Sequence, residues 1–195
     1  MSRPWEDAKS WKDWFIPLSC EDLTLEEGLK SAEKFQAGAV EIPFIVQLME
    51  NPKFTLPGFS LFNGAVDLFT HDCIHILIGR GMLPKDEAFT IGFTMGSTNK
   101  MTTTEKTLFS WIAKYIYPTH YSFDDESVHV FKDAAHLGFI SDCKPLSDID
   151  YKKYLPMKLK DIREELGIET DLLRACYKIH HKRYPESRCS KRLLV

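Results

Sequence analysis

An all-α, single-domain helical bundle is predicted by three features of this 195-residue chain. Capping-box signatures recur, most plainly at Thr24 with Glu27 and at Thr102 with Glu105, where a hydroxyl and a carboxylate three residues apart satisfy each other's backbone N–H groups. Glycine and proline punctuate the apolar stretches where helices stop and start, as at Gly79, Gly81 and Pro84. No alternating apolar pattern of comparable strength argues for a strand, and the chain holds no repeat or low-complexity tract. The predicted bundle is centred on an antiparallel helix hairpin at residues 61–95.

The elements follow in order. The Thr24 box opens a helix that runs to about Gln36, and Pro43 opens a second that ends before Asn51-Pro52. After the turn at Pro57-Gly58, residues 61–78 form a third helix. Val66, Phe69, Ile74, Leu77 and Ile78 make it mostly apolar and therefore buried. Gly79 and Gly81 bracket Arg80 and end it, because glycine tolerates the left-handed backbone that closes a helix. Pro84 suits the first turn of the next helix, which returns to about Met95. The Thr102 box starts a helix that stops at Pro118, and Asp124 or Asp125 starts another through about Leu137, with Gly138 near its end. Residues 156–166 form a helix terminated by Gly167, and residues 171–184 form the last. The organisation predicted is an N-terminal arm (1–23), an all-helical domain (24–184) and a basic C-terminal tail (185–195).

The chemistry concentrates in the hairpin. On a helix of about 100° per residue, His75 lies about 40° and Asp72 about 100° around from His71, so all three side chains can lean toward one point. His75 stands about one turn before the glycines, and Glu87 about one turn after Pro84. Two imidazoles and two carboxylates thus aim at one spot, a donor set suited to zinc and also to iron, cobalt or manganese. The competing reading is a solvated Asp72 beside core histidines. A cation is favoured because an ionised carboxylate buried alone costs several kcal/mol. Cys73 points about 200° away from His71 and is a poor ligand.

His71-Asp72-x-x-His75, eleven residues and then Glu87 resembles the signature of the coenzyme Q (ubiquinone) biosynthesis protein 4 family. A second stretch, Leu159-Lys-Asp-Ile-Arg163-Glu164-Glu165-Leu166-Gly167-Ile168, resembles that family's closing "LREELGI" segment. The likeness spans about residues 40–168, with 96–146 unmatched. It implies an all-helical protein that holds a divalent metal through His71, Asp72, His75 and Glu87. It also implies an apolar cavity for prenylated lipid and association with membranes and with other quinone-biosynthesis proteins. The implied activity is oxidative removal of the ring carboxyl from a polyprenyl hydroxybenzoate-type precursor, with hydroxylation at that carbon. The alternative is a non-catalytic metal-containing organiser of the pathway. A distant third reading, an HD-type phosphohydrolase suggested by His71-Asp72, wants an upstream histidine, and none precedes His71.

Against that background Phe89 and Phe93, with Phe62, Val66, Phe69, Phe109, Ile112 and Ile116, are either core or the wall of an isoprenoid cavity. Gly92 and Gly96 either admit a lipid chain or permit close helix packing. Arg80, at the mouth of the hairpin, either grips a substrate carboxylate or a phosphate with its planar fork or is solvated. Arg163 is open to pairing with Glu164 and Glu165. Glu126-x-x-His129 has the form of half a di-metal site, although acids are common in first helical turns. His129 and His136 share a face, and His120, His180 and His181 are expected at the surface.

A net charge of -3 gives no drive toward nucleic acid. Five scattered cysteines without a C-x-x-C pair read as free thiols. No apolar run reaches the roughly 18–20 residues that span a bilayer, and residues 1–14 resemble neither a secretory signal nor an acid-poor transit peptide. The expectation is a cytoplasmic protein with peripheral membrane contact, and a homodimer is left open. The membrane contact would come from Trp5, Trp11, Trp14 and Phe15 and from the basic residues after Arg174, unless the aromatics fold back on the domain.

Overall fold

Residues 5–36, 66–98 and 124–194 are described by the computed structural model. Among them lie seven α-helices: α1 (Leu25–Gln36), α2 (Leu68–Ile78), α3 (Pro84–Ser97), α4 (Asp125–Ile140), α5 (Leu159–Leu166), α6 (Thr170–Arg183) and α7 (Arg188–Arg192). Two 3-10 turns, Leu146–Asp148 and Tyr151–Tyr154, link α4 to α5. No strand occurs among the described residues, so the all-α expectation holds. The helices expected after Pro43 and between Thr102 and Pro118, together with Phe62, Phe109, Ile112, Ile116 and His120, fall outside the described residues.

Local chemistry sets most boundaries. The Thr24 backbone N–H donates to Glu27 Oε2 at 2.9 Å and the Glu27 N–H to Thr24 Oγ1 at 3.2 Å, which is the capping box read from the sequence. α2 starts at Leu68 rather than near residue 61. Asp67 is extended and accepts the Thr70 N–H at 2.9 Å, an N-cap that fixes the first turn there. α5 begins at Leu159 and not at Pro156, because Lys158 pairs with Thr24 in an antiparallel bridge and holds the chain extended. Gly79 (φ 71°) and Gly167 (φ 69°) both end helices in the left-handed conformation, as predicted.

Gly138 lies near the end of its helix, as expected. α4 continues through it to Ile140, because Gly138 is a crossing point: a Cβ there would stand 2.4 Å from the Phe93 carbonyl oxygen. Gly92 and Gly96 face the same crossing, where a Cβ would meet the Phe131 and Ala135 carbonyl oxygens at 2.4 and 2.2 Å. These three glycines let α3 and α4 approach backbone to backbone, and α4 is the main partner of α3. The space that Gly92 and Gly96 open is filled by α4.

α3 is buried on all sides from Ala88 to Ser97, and its hydroxyls bond inside the helix. Thr90, Thr94 and Ser97 donate to the carbonyls of Asp86, Thr90 and Thr94 at 3.0, 2.8 and 2.8 Å.

The C-terminal end of α2 buries four carbonyls that lack helical donors. Each finds one. His75 O accepts from the Arg80 N–H at 2.9 Å and Ile76 O from the Gly79 N–H at 3.3 Å. Leu77 O accepts from Arg163 Nε at 2.9 Å, and Ile78 O from the Tyr177 hydroxyl. Arg163 therefore does not pair with Glu164 and Glu165, which are exposed. Its Nη1 reaches Leu18 O at 2.9 Å, and burial draws its guanidinium down to about 10.

Both termini join the core. Trp5, Trp14, Phe15, Ile16 and Leu18 are buried, and Trp14 Nε1 donates to Ser31 Oγ at 2.9 Å. Trp11 alone of the three described tryptophans is exposed, at 37%. In the C-terminal segment Cys189, Ser190 and Leu193 are buried, while Arg192 pairs with Asp86 and Arg188 with Asp13. Among the described residues no helix is long and apolar enough to cross a membrane.

Replacing Arg163 by Met keeps the packed stem but strands the Leu77 and Leu18 carbonyls, so a loss of about 2–4 kcal/mol in urea unfolding is expected. An unchanged midpoint would remove Arg163 from this role.

Candidate metal centre

Two helices and one short link bring the ligand-type residues together. α2 carries His71 and His75 on one face, four residues apart, and Gly79 to Leu83 turns the chain so that the first turns of α3 meet that face. Pro84 sits at the start of α3, and the Asp86 carboxylate accepts the Leu83 N–H at 3.2 Å, which fixes where that helix begins. Glu87 then projects onto the histidines.

The three donor atoms form a compact triangle. His71 Nε2 lies 2.9 Å from Glu87 Oε2 and 2.9 Å from His75 Nε2, and His75 Nε2 lies 3.4 Å from Glu87 Oε2. Zinc–nitrogen and zinc–oxygen bonds of about 2.0–2.1 Å imply ligand–ligand edges of about 3.3–3.4 Å in a tetrahedron and about 2.8–3.0 Å in an octahedron. The observed edges lie in this range, so the group could hold a single divalent cation. His71 and His75 are buried at 6% and 2% exposure, while the Glu87 side chain keeps 16%.

Asp72 stands apart from this group. It is buried, yet it does not join the three residues whose donor atoms lie within 4.8 Å of one another. Among the described residues the group that could hold an ion is His71, His75 and Glu87, without Asp72. Asp72 leaves the helix about 100° around from His71, against about 40° for His75. Its charge still acts on the site. Burial opposes protonation of His75, but the Glu87 carboxylate, reinforced by Asp72 and Asp86, outweighs it and holds the imidazole above its ordinary value. Burial likewise raises Glu87, and the two imidazoles overcome it, leaving the carboxyl far below the usual range.

Arg80, Phe89 and Phe93, the residues expected to meet substrate, are all buried. Arg80 is neither solvated nor at a mouth; it is 1% exposed. Its guanidinium lies 3.8 Å from the Phe89 ring centre and 4.2 Å from that of Tyr177, and 3.6 Å from the Asp86 carboxylate. Phe89 and Phe93 are buried core residues stacked at 6.1 Å. Glu126 is exposed and pairs with Lys85 at 3.0 Å, and His129 and His136 are exposed, so the Glu126-x-x-His129 pair builds no second centre.

His180, expected at the surface, is 1% exposed. The signal was present: Leu173, Cys176, Tyr177 and His180 form an i, i+3, i+4, i+7 stripe. Arg80 Nη2 approaches His180 Nδ1 at 3.4 Å and can only donate, so Nδ1 accepts and Nε2–H donates to Asp133 at 3.2 Å. Cys176 Sγ lies 3.7 Å from that same Nε2, so Cys176, His180 and Asp133 do not form a relay through opposite ring nitrogens.

Comparison with family models, with curated proteins and with solved structures yields no match.

Two outcomes follow. His75→Ala is expected to lose stoichiometric zinc by elemental analysis, whereas Asp72→Asn and His129→Ala retain it; equal metal in all three would contradict the three-ligand set. His180 is held below its ordinary value by burial and by the Arg80 and Arg183 charges, against the pull of Asp133. The unfolded chain thus protonates first, so stability is full above about pH 6.5 and declines as pH falls toward the lower folded value. His180→Gln should flatten that acid limb in urea titrations from pH 7 to 5, and an unaltered slope would refute the assignment.

Proposed function

We propose that this protein holds a divalent cation through His71, His75 and Glu87 and acts on a prenylated hydroxybenzoate-type precursor of a ubiquinone-class quinone. The observation that carries the metal reading is the convergence of three Lewis-basic atoms within 2.9–3.4 Å in a nearly dry setting. The substrate class rests on the likeness of two motifs to the coenzyme Q biosynthesis protein 4 family. Their packing supports reading them together, since Arg163 of the second motif caps the helix that carries the first.

Three protein ligands leave a further coordination position for substrate or water, which favours catalysis over a closed structural site. A bound cation would supply Lewis acidity to a ring carboxylate or phenolate oxygen. Zinc, iron, cobalt and manganese all accept two imidazoles and one carboxylate. In the proposed conversion the bond from ring carbon to carboxyl breaks and carbon dioxide leaves. One atom of dioxygen becomes the new ring hydroxyl and the other becomes water, with two electrons and two protons from an external reductant. His71, His75 and Glu87 hold and orient; Glu87, the most exposed of the three, marks the side from which a ring can arrive.

The test is turnover. Metal-loaded protein, dioxygen and a two-electron donor are mixed with a prenylated hydroxybenzoate labelled with carbon-13 in the carboxyl, in detergent micelles. Labelled carbon dioxide and a hydroxylated ring by mass spectrometry are expected, and Glu87→Ala should abolish both. Stoichiometric binding without conversion would instead point to the organiser role, in which the protein presents lipid to partner enzymes at a membrane surface. Neither binding nor conversion would end the quinone reading.

A further inference from the structure

Thr90 is fully buried on α3, one turn beyond the metal ligand Glu87, and its Oγ1 lies 3.3 Å from His75 Nδ1. A hydroxyl has one proton to give. The Thr90 proton goes to the Asp86 carbonyl at 3.0 Å, and Thr94 and Ser97 direct theirs the same way, to the Thr90 and Thr94 carbonyls. With its proton committed, Thr90 Oγ1 meets His75 as an acceptor. His75 Nδ1 must then carry hydrogen, and Nε2 is left with its lone pair. Nε2 is the nitrogen that faces His71 Nε2 and Glu87 Oε2.

We infer that Thr90 is a positioning residue for the metal centre, holding His75 in the tautomer and ring orientation in which Nε2 is ready to ligate. The inference rests on the metal reading above and adds the residue that prepares one of its ligands. Ligating histidines commonly donate their second ring N–H to an oxygen of the protein, and loss of that partner costs about 10–100-fold in metal affinity. Here the accepting oxygen is a hydroxyl oriented by its own helix. The arrangement is rigid for two reasons: α3 is buried on all sides around Thr90, and Gly92 and Gly96 clamp it against α4 just beyond. Neither ring of the pair can turn without losing a contact, since the His71 and His75 rings meet edge to face with centres 4.5 Å apart.

Thr90→Val keeps the shape and removes the acceptor, and Thr90→Ser keeps the acceptor. Zinc affinity is measured by competition with a chromophoric chelator, and the His75 tautomer by long-range nitrogen-15 NMR of metal-free protein at a pH alkaline enough for the ring to be neutral. Thr90→Val is expected to bind zinc about 10–100-fold more weakly and to shift His75 toward the Nε2–H tautomer, while Thr90→Ser stays near wild type on both. A thermal melt of each variant separates these effects from unfolding, because a folded Thr90→Val with an altered tautomer reports on the hydrogen bond alone. Unchanged affinity in folded Thr90→Val, or a wild-type His75 already in the Nε2–H form, would overturn the role of Thr90. Wild-type protein that takes up no zinc would instead sink the metal reading on which the role rests.

Discussion

A carboxylate with little exposure facing two buried imidazoles is the constraint around which the rest of the molecule is arranged. Glu87 is mostly withdrawn from water, where an unpaired charge is costly. The histidines meet that charge at 2.9 and 3.4 Å, and the mutual effect is visible in opposite directions, with His75 pushed up and Glu87 pushed down. The same lone pairs that attract a proton attract a divalent cation, so the cluster is a site where positive charge of one kind or another is required.

Holding three donor atoms that close requires rigid supports on both sides. On the α2 side, the last four carbonyls are closed by Gly79, Arg80, Arg163 and Tyr177, which draws α5 and α6 onto the helix that bears the histidines. On the α3 side, Gly92, Gly96 and Gly138 bring two backbones into contact, and Arg192 reaches from the C-terminal segment to Asp86, the neighbour of Glu87. The Arg80 guanidinium fills the space between these supports. It is screened from water by Phe89 and Tyr177 and flanked by Asp86 and His180. Residues far apart in the chain thereby stiffen one hinge of five residues.

Local signals carried the sequence reading a long way. Capping at Thr24, left-handed glycines at 79 and 167, the close of α2 and the start of α3 depend on neighbours within a few residues, so spacing alone reveals them. The pairing of His71, His75 and Glu87 was also legible, because helical periodicity and a short link leave little freedom. What depends on distant partners was not. Arg80 looks like a surface arginine until His180 and Tyr177, about a hundred residues away, are seen to enclose it. The close approach that Gly138 permits depends on Phe93, on another helix. Glu87 joins the two histidines only through the position of α3, and Asp72 lies outside that group of three.

The central claim is that one cation is bound by two imidazoles and one carboxylate, with room left for a further ligand. X-ray absorption of zinc-loaded protein tests it most directly. The predicted spectrum shows a first shell of nitrogen and oxygen only, at about 2.0–2.1 Å, with two imidazole scatterers and a water-exchangeable position. A sulfur ligand, a single imidazole, or a closed shell that includes Asp72 would contradict the account.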